Sequence, residues 1–388
     1  MVDEHHFLRA GACAIGQFFI RNIRSRVAYI NTAVLRRIHK TYERYGAPIA
    51  FLFGFIWDNL TLIRIDFWVD NLIIAVHLVL AGVWIAVLTL HDGKYLHGRL
   101  ETLGHFAPLF LQFSFGALFS AFFVFYWRSA SFTASWPFLI ALLFLLIGNE
   151  FFQKRYQLLA FRMSMYFTAL YSYSIFAVPV IYKEMGAAVF LASGLISLLL
   201  VGAAVFLLSY VIPSELHKSR KTLIVSIGTL YLVFHVLYFT NIIPPIPLSL
   251  KESGVYHSIT RSRDGGYVLE AEMVPWYDFF IPQKIFHRTS GGVYVYSSIF
   301  APAGLRTDIF HRWSYYDEKS GEWVETDRIS FSITGGRDDG YRGYSTKSSI
   351  APGVWRVDVE TGRGQIVGRL TFTVLAGTDV PKLVTIVR

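Results

Sequence analysis

One cysteine, Cys13, is all the thiol chemistry in this 388-residue chain, and the C-terminal third has none. No disulfide can form within that third, even in an oxidising compartment. Cys-x-x-Cys and Cys/His zinc spacings are missing, and so is His-Glu-x-x-His. No Gly-x-Ser-x-Gly, Ser-Lys dyad or paired acidic motif stands in the polar C-terminal region, so the sequence gives no reason to expect an enzyme, a cofactor or a metal. Charge is also scarce. Only 16% of residues are charged and 54% are hydrophobic, where soluble domains carry roughly 25% charge. That deficit points to membrane spans, each needing about 20 apolar residues.

The net charge of +9 does not signal nucleic acid, because it is unevenly placed. Residues 1–243 hold 19 Lys+Arg against 11 Asp+Glu, and residues 244–388 hold 17 against 16. The excess lies beside the apolar runs, where the positive-inside rule puts it. Asp3 and Glu4 precede a weak apolar stretch interrupted by Arg9 and Gln17, so the first residues do not read as a signal peptide.

Seven spans are expected, at roughly 47–65, 68–90, 106–127, 132–148, 163–182, 187–212 and 222–243. Basic residues before the first span and in the loops after the second, fourth and sixth number sixteen; the other short loops hold only Arg64, Arg128 and Lys183. This bias predicts a cytoplasmic N-terminus and an external C-terminal region. Residues 1–45 form a basic N-terminal segment. Within it Ile20, Ile23, Val27, Ile30, Val34 and Ile38 recur at helical spacing, as in an amphipathic helix on the cytoplasmic leaflet or one packed on the loops. The transmembrane domain is then 46–243.

Pro244, Pro245 and Pro247 end the last span and read as a short, stiff linker. Beyond it, residues 244–388 alternate apolar and polar between turn signals, which predicts an all-β, immunoglobulin-like sandwich. Strands are expected at 255–263, 267–273, 292–300, 309–316, 323–326, 329–334, 355–360 and 366–374. Asp264-Gly265-Gly266 and Thr361-Gly362-Arg363-Gly364 read as hairpin turns. Trp355, Val357 and Val359 share one face, as do Leu370, Phe372 and Val374; pressed together, the two faces would make a sandwich core.

Several stretches carry a family likeness. They are His311-Arg312-Trp313, Gly335-Gly336-Arg337, Gly340-Tyr341-Arg342-Gly343-Tyr344, Pro352-Gly353-x-Trp355-Arg356-Val357, and Gly368 followed by Phe372-x-Val374. In the membrane region they are Gly54-Phe55-Ile56-Trp57-Asp58, Arg128-Ser129-Ala130-Ser131, Ser135-Trp136-Pro137-Phe138 and Gly148-Asn149-Glu150. From about Pro48 onward the chain resembles a bacterial inner-membrane family of unknown function, with a polytopic helical region before a C-terminal domain of unknown function 2914. The resemblance implies an inner (cytoplasmic) membrane and a periplasmic C-terminal domain. It implies no catalytic residue.

Candidate residues fall into two groups. Asp58, His77 and His235 lie within expected spans, where an ionisable group is costly unless paired. Asp58 and His77 can meet across a helical hairpin, either to handle protons or to fix helix packing. Arg128 stands at the outer rim with Arg64, Asp66, Asp70 and Asn71, placed to hold a lipid phosphate or to snorkel. In the β region, Arg312, Trp313, Trp323, Arg337, Tyr341 and Arg342 lie among Tyr315, Tyr316 and Tyr344. Aromatic rings with arginines suit a glycan or anionic polymer, unless the rings are core. His97, Glu101 and His105 share a helical spacing that imitates a metal site but reads better as a solvated face. Gly335–Gly340 lies between strands and reads as a turn, not a phosphate loop. The expected partners are the bilayer and an envelope polysaccharide, lipid or periplasmic protein. The expected function is non-catalytic binding, with a transporter or lipid-handling protein and a membrane enzyme acting on a lipid-linked substrate as alternatives.

Overall fold

The computed structural model describes residues 55–62, 64–151, 155–156, 158–262, 266–273, 284–287, 292–376 and 382–388. The chain divides into two units, residues 1–61 and 62–388. In the first, residues 55–61 are helical, and the Thr61 hydroxyl donates to the Trp57 carbonyl at 2.8 Å. The basic segment 1–45 and residues 47–54 of the first expected span lie outside the described residues.

The second unit opens with α1 (Trp68–Asp92), α2 (Arg99–Ser129), α3 (Phe132–Phe151), α4 (Leu159–Tyr182), α5 (Ala187–Val211) and α6 (Pro213–Phe239). All but α3 are long and apolar enough to cross a bilayer; the apolar part of α3, Ala134–Asn149, is shorter. Seven spans were expected, so the described residues support a polytopic helical region with five full-length candidates. α4 is the central helix. It buries Phe167, Tyr171 and Phe176 together with Ser172 and Ser174, while α1, α5 and α6 leave Val79, Leu199 and Leu232 exposed. Bare apolar faces of that kind are what a bilayer covers. The buried Tyr126 hydroxyl ties α2 to α4 by donating to the Ser172 carbonyl at 2.9 Å.

The loop expected between the last two spans is nearly absent. Ile212 alone breaks the helix, with φ −133° and ψ 56°, and Pro213 starts α6. Proline suits a first helical position because its missing N–H would have no partner there. Lys218, Arg220 and Lys221 therefore lie on the opening turns of α6 and not in a loop.

Among the described residues eleven strands follow: β1 (Ser249–Tyr256), β2 (Ser258–Arg261), β3 (Tyr267–Glu272), β4 (Lys284–His287), β5 (Val293–Phe300), β6 (Arg306–Asp317), β7 (Glu322–Thr334), β8 (Tyr341–Lys347), β9 (Gly353–Thr361), β10 (Ile366–Leu375) and β11 (Leu383–Val387). They form three sheets, ordered β1-β5-β8, β4-β10-β9-β6-β7 and β11-β3-β2. Pairing is antiparallel except between β10 and β4. The two strands expected at 323–326 and 329–334 are one, because Asp327 and Arg328 stay in register opposite Trp313 and Arg312.

The apolar faces of β9 and β10 do not press together across a core. Leu370 pairs with Val357 and Phe372 with Trp355 in one sheet. The combined face packs instead against Leu248 and against Val293, Val295 and Ile299 of β5. The proline segment is not an exposed linker either. Residues 243–248 are buried, Leu248 belongs to the β core, and the Gln365 amide donates to the Ile243 carbonyl at 3.4 Å.

Candidate functional site

The helices and the β region are clamped together at three places. Between α4 and α5, the Lys183 carbonyl accepts from the Arg306 amide at 3.3 Å, and Met185 packs against the β core. At the end of α6, the β9–β10 turn lays Arg363 over the rings of Tyr238 and Phe239, at 4.1 and 5.1 Å. Asn241 donates to the Arg363 carbonyl at 3.2 Å. Before α1, Arg64 is held by Asp66 through two hydrogen bonds of 2.9 and 2.8 Å and also binds Asp338 of the β7–β8 loop. The bond to Asp66, with help from Asp338, holds the Arg64 guanidinium above its ordinary pKa.

Beside the third clamp lies an open pocket of about 460 Å³, lined by Arg64, Phe125, Trp127, Arg128, Lys251 and Phe300 among others. Two chemistries meet in it. Phe125 and Phe300 are buried and Trp127 is half exposed, so one wall is apolar. Arg64, Arg128 and Lys251 make the other wall cationic. Arg128 reaches the Leu62 carbonyl and feels the charge of Asp70. Lys251 lies over the Phe300 ring at 5.3 Å and makes no ion pair among the described residues. The pocket sits where α2 ends and β1 begins, at the helix ends that face the β region.

Of the expected residues, Arg128 and its outer-rim neighbour Arg64 line this pocket. His77 and His235 each hydrogen-bond through Nδ1 to the carbonyl four residues back, at 2.9 and 2.8 Å. The His235 ring also sits among Tyr231, Phe190 and Tyr171. Both are thus occupied by local packing. Asp58 lies half-buried in the helical stretch 55–61.

The β-region candidates are scattered by strand alternation. Trp313 is not a surface ring: it is 0% exposed, sits edge-on to Trp355 and Phe372, and donates from Nε1 to Ser345 at 3.0 Å. Arg312 is tied down by buried acids, reaching Asp358 at 2.9 Å and Glu360 at 3.2 Å. Arg356 covers the Trp323 ring at 4.4 Å. Tyr341 packs on the β core, with Arg337 over its outer side at 5.5 Å. Only Arg342 and Tyr344 stand together on an outer sheet face. Of His97, Glu101 and His105, His105 meets His91 edge-on at 4.6 Å, and no group able to hold a metal is found among the described residues.

Two charged clusters are built on acids that are not among the expected residues. Asp358 and Glu360, both fully buried, sit beneath Arg312, Arg328, Arg356 and Arg369; burial raises the Glu360 pKa in spite of these arginines. Glu272 accepts from His257 and His287 at 2.9 Å each. Burial works against its charge, but those bonds and the His287 amide outweigh it and hold the carboxyl low. Asp358 and Glu360 alternate with the core residues Trp355, Val357 and Val359 and so lie on the outer face of β9, where their burial under arginines from neighbouring strands has no local signal. The Glu272 cluster depends on the pairing of β2 with β3 and has no local signal.

No curated protein matches the chain. Among solved structures, it superposes on the Pseudomonas fluorescens alkylpurine DNA glycosylase AlkC bound to DNA containing an abasic site analog. The TM-score is 0.22 at 11% identity, over 79% of this chain and 99% of that one, a fit too loose to establish a shared fold. The region that gathers the buried acids and their arginines is where a family is recognised: residues 306–374, from β6 to β10, match the family described as Protein of unknown function (DUF2914).

Proposed function

We propose that this is a non-catalytic integral protein of the bacterial inner membrane that binds the headgroup of an anionic phospholipid in the pocket between its helices and its β region. The pocket carries the reading, because its lining is amphipathic in the way a phospholipid is. A phosphate would be received by Lys251 and Arg128. The glycerol and the first methylenes would lie on Phe125, Phe300 and Trp127. Trp127 near a helix end also suits the level of the headgroups.

The charge distribution supports the membrane placement. Short connections at the pocket end carry Arg64, Arg128 and Lys183, while the opposite ends carry Lys94, Arg99, Arg155, Lys218, Arg220 and Lys221. By the positive-inside rule the latter are cytoplasmic and the β region is periplasmic. The core shared by the sheets β1-β5-β8 and β4-β10-β9-β6-β7 supports an immunoglobulin-like sandwich. At both His77 and His235 the Nδ1 is bonded to a backbone carbonyl of its own helix, which lends no support to a proton-coupled transport path.

Native mass spectrometry of the detergent-purified full chain tests the reading, with short-chain phosphatidylglycerol and phosphatidylcholine as probes. Phosphatidylglycerol should be retained preferentially, and Lys251→Glu should reduce its retention by about tenfold. Equal retention of the two lipids, or retention unchanged in K251E, would overturn it.

A further inference from the structure

A second surface lies on the β region away from the pocket. In the sheet β1-β5-β8, Val293, Val295 and Ile299 face the core. The opposite face therefore shows Tyr294, Tyr296 and Ser298 on β5 beside Thr346, Tyr344 and Arg342 on β8. On β1 it shows Glu252, Gly254 and Tyr256. The small sheet covers only part of this face. Its residues Ile259 and Leu269 pack on Tyr256 and Tyr296, with Tyr267 and Tyr294 at the margin, and no β8 residue joins that cluster. Arg342, Tyr344 and Thr346 thus form an uncovered shelf on an edge strand.

The rings on the shelf are contiguous. Tyr344 lies 6.0 Å from Tyr267 and 6.3 Å from Tyr294, and is 42% exposed. Its polar groups are unused. Among the described residues, the hydroxyls of Tyr267, Tyr294, Tyr344 and Thr346 make no hydrogen bond. Four arginines of the region, Arg312, Arg328, Arg369 and Arg388, are each hydrogen-bonded to a carboxylate; Arg342 is not, among the described residues. Its one ion pair there is with the exposed Asp339, at 3.6 Å, beyond hydrogen-bond reach, and its charge also acts on Tyr296 beside it.

We infer that this shelf binds a glycan bearing carboxylate groups. A pyranose presents an apolar C–H face and a rim of hydroxyls. Tilted tyrosines with free phenols match both. The planar donor fork of Arg342 matches a carboxylate. A protein partner would ask for a larger apolar patch than one exposed and two partly buried tyrosines supply, and a membrane surface for more cations than one. The site shares no residue with the lipid pocket.

Isothermal titration calorimetry on the full chain in nanodiscs tests the inference. The probes are muramidase-released glycan fragments of sacculi first stripped of stem peptides by an amidase, which frees the lactyl carboxylates, and neutral chitohexaose. The acidic fragments should bind saturably and more tightly than chitohexaose. Tyr344→Ala should weaken both sugars about tenfold. Arg342→Ala should weaken only the acidic one, by about tenfold. Lys251→Glu should change neither, which separates this site from the lipid pocket. Unchanged thermal stability in Y344A and R342A would show that both variants fold. Absent binding of the acidic fragments, binding unchanged in Y344A, or equal affinity for both sugars would overturn the inference.

Discussion

Acid should unfold this protein partly through one histidine. His311 is 0% exposed on β6, with Nε2 at 2.8 Å from the Ser297 hydroxyl and Nδ1 at 2.8 Å from that of Ser345. Ser345 also accepts from Trp313 at 3.0 Å, so its own hydrogen is free to go to Nδ1. Nε2–H then donates to Ser297, and the neutral ring is fully satisfied. Burial alone lowers the His311 pKa from 6.5 to about 4. An unfolded chain therefore binds the proton first as pH falls, and folding stability rises with pH across this window. From pH 7 to pH 4 the loss due to His311 is about 3 kcal/mol, at 1.36 kcal/mol per unit. For a unit of this size that lowers the melting temperature by about 6–12 °C. The assay is tryptophan-fluorescence melting of the purified chain from pH 7 to pH 4, beside His311→Asn. The variant starts less stable, but its profile should be flatter by that amount, because the other titrating groups are shared. Parallel profiles would refute the reasoning.

The other predictions concern buried charge and the clamps. Asp358→Ala should cost about 3–5 kcal/mol, because it strands Arg312, Arg356 and Arg369 around an empty carboxylate site. Arg312→Ala should cost less, since Arg328 still serves Glu360; chemical denaturation of the two variants checks the order. Arg363→Ala removes the cation over Tyr238 and Phe239 and should lower stability by about 1–2 kcal/mol. It should also raise protease sensitivity at the joint after α6, with limited proteolysis as the readout.

The positions of α1 to α6 are legible in the apolar runs, because a helix in a bilayer must satisfy every backbone group within itself and so declares itself by length alone. The alternation along β5, β9 and β10 likewise marks Val295, Val357 and Phe372 as inward, since a strand turns each successive side chain to the opposite face. The same rule separates Tyr341 from Tyr344, although the sequence pattern groups them. β8 carries no such signature. Its glycine and charges look like a turn, and Gly343 is needed because a Cβ there would come within 2.3 Å of the Phe331 ring.

Hydrophobic length and charge act locally, so the order of amino acids is enough to set a polytopic helical region followed by a β region, with basic bias in its loops. Which surfaces face which is a tertiary outcome. The proline segment becomes a buried joint, Arg312 becomes the partner of two buried acids, and Lys251 joins Arg128 across more than a hundred residues. Those outcomes depend on strand register and on helix ends meeting in space. Many pairings of the same segments satisfy the local pattern equally well, and packing selects among them.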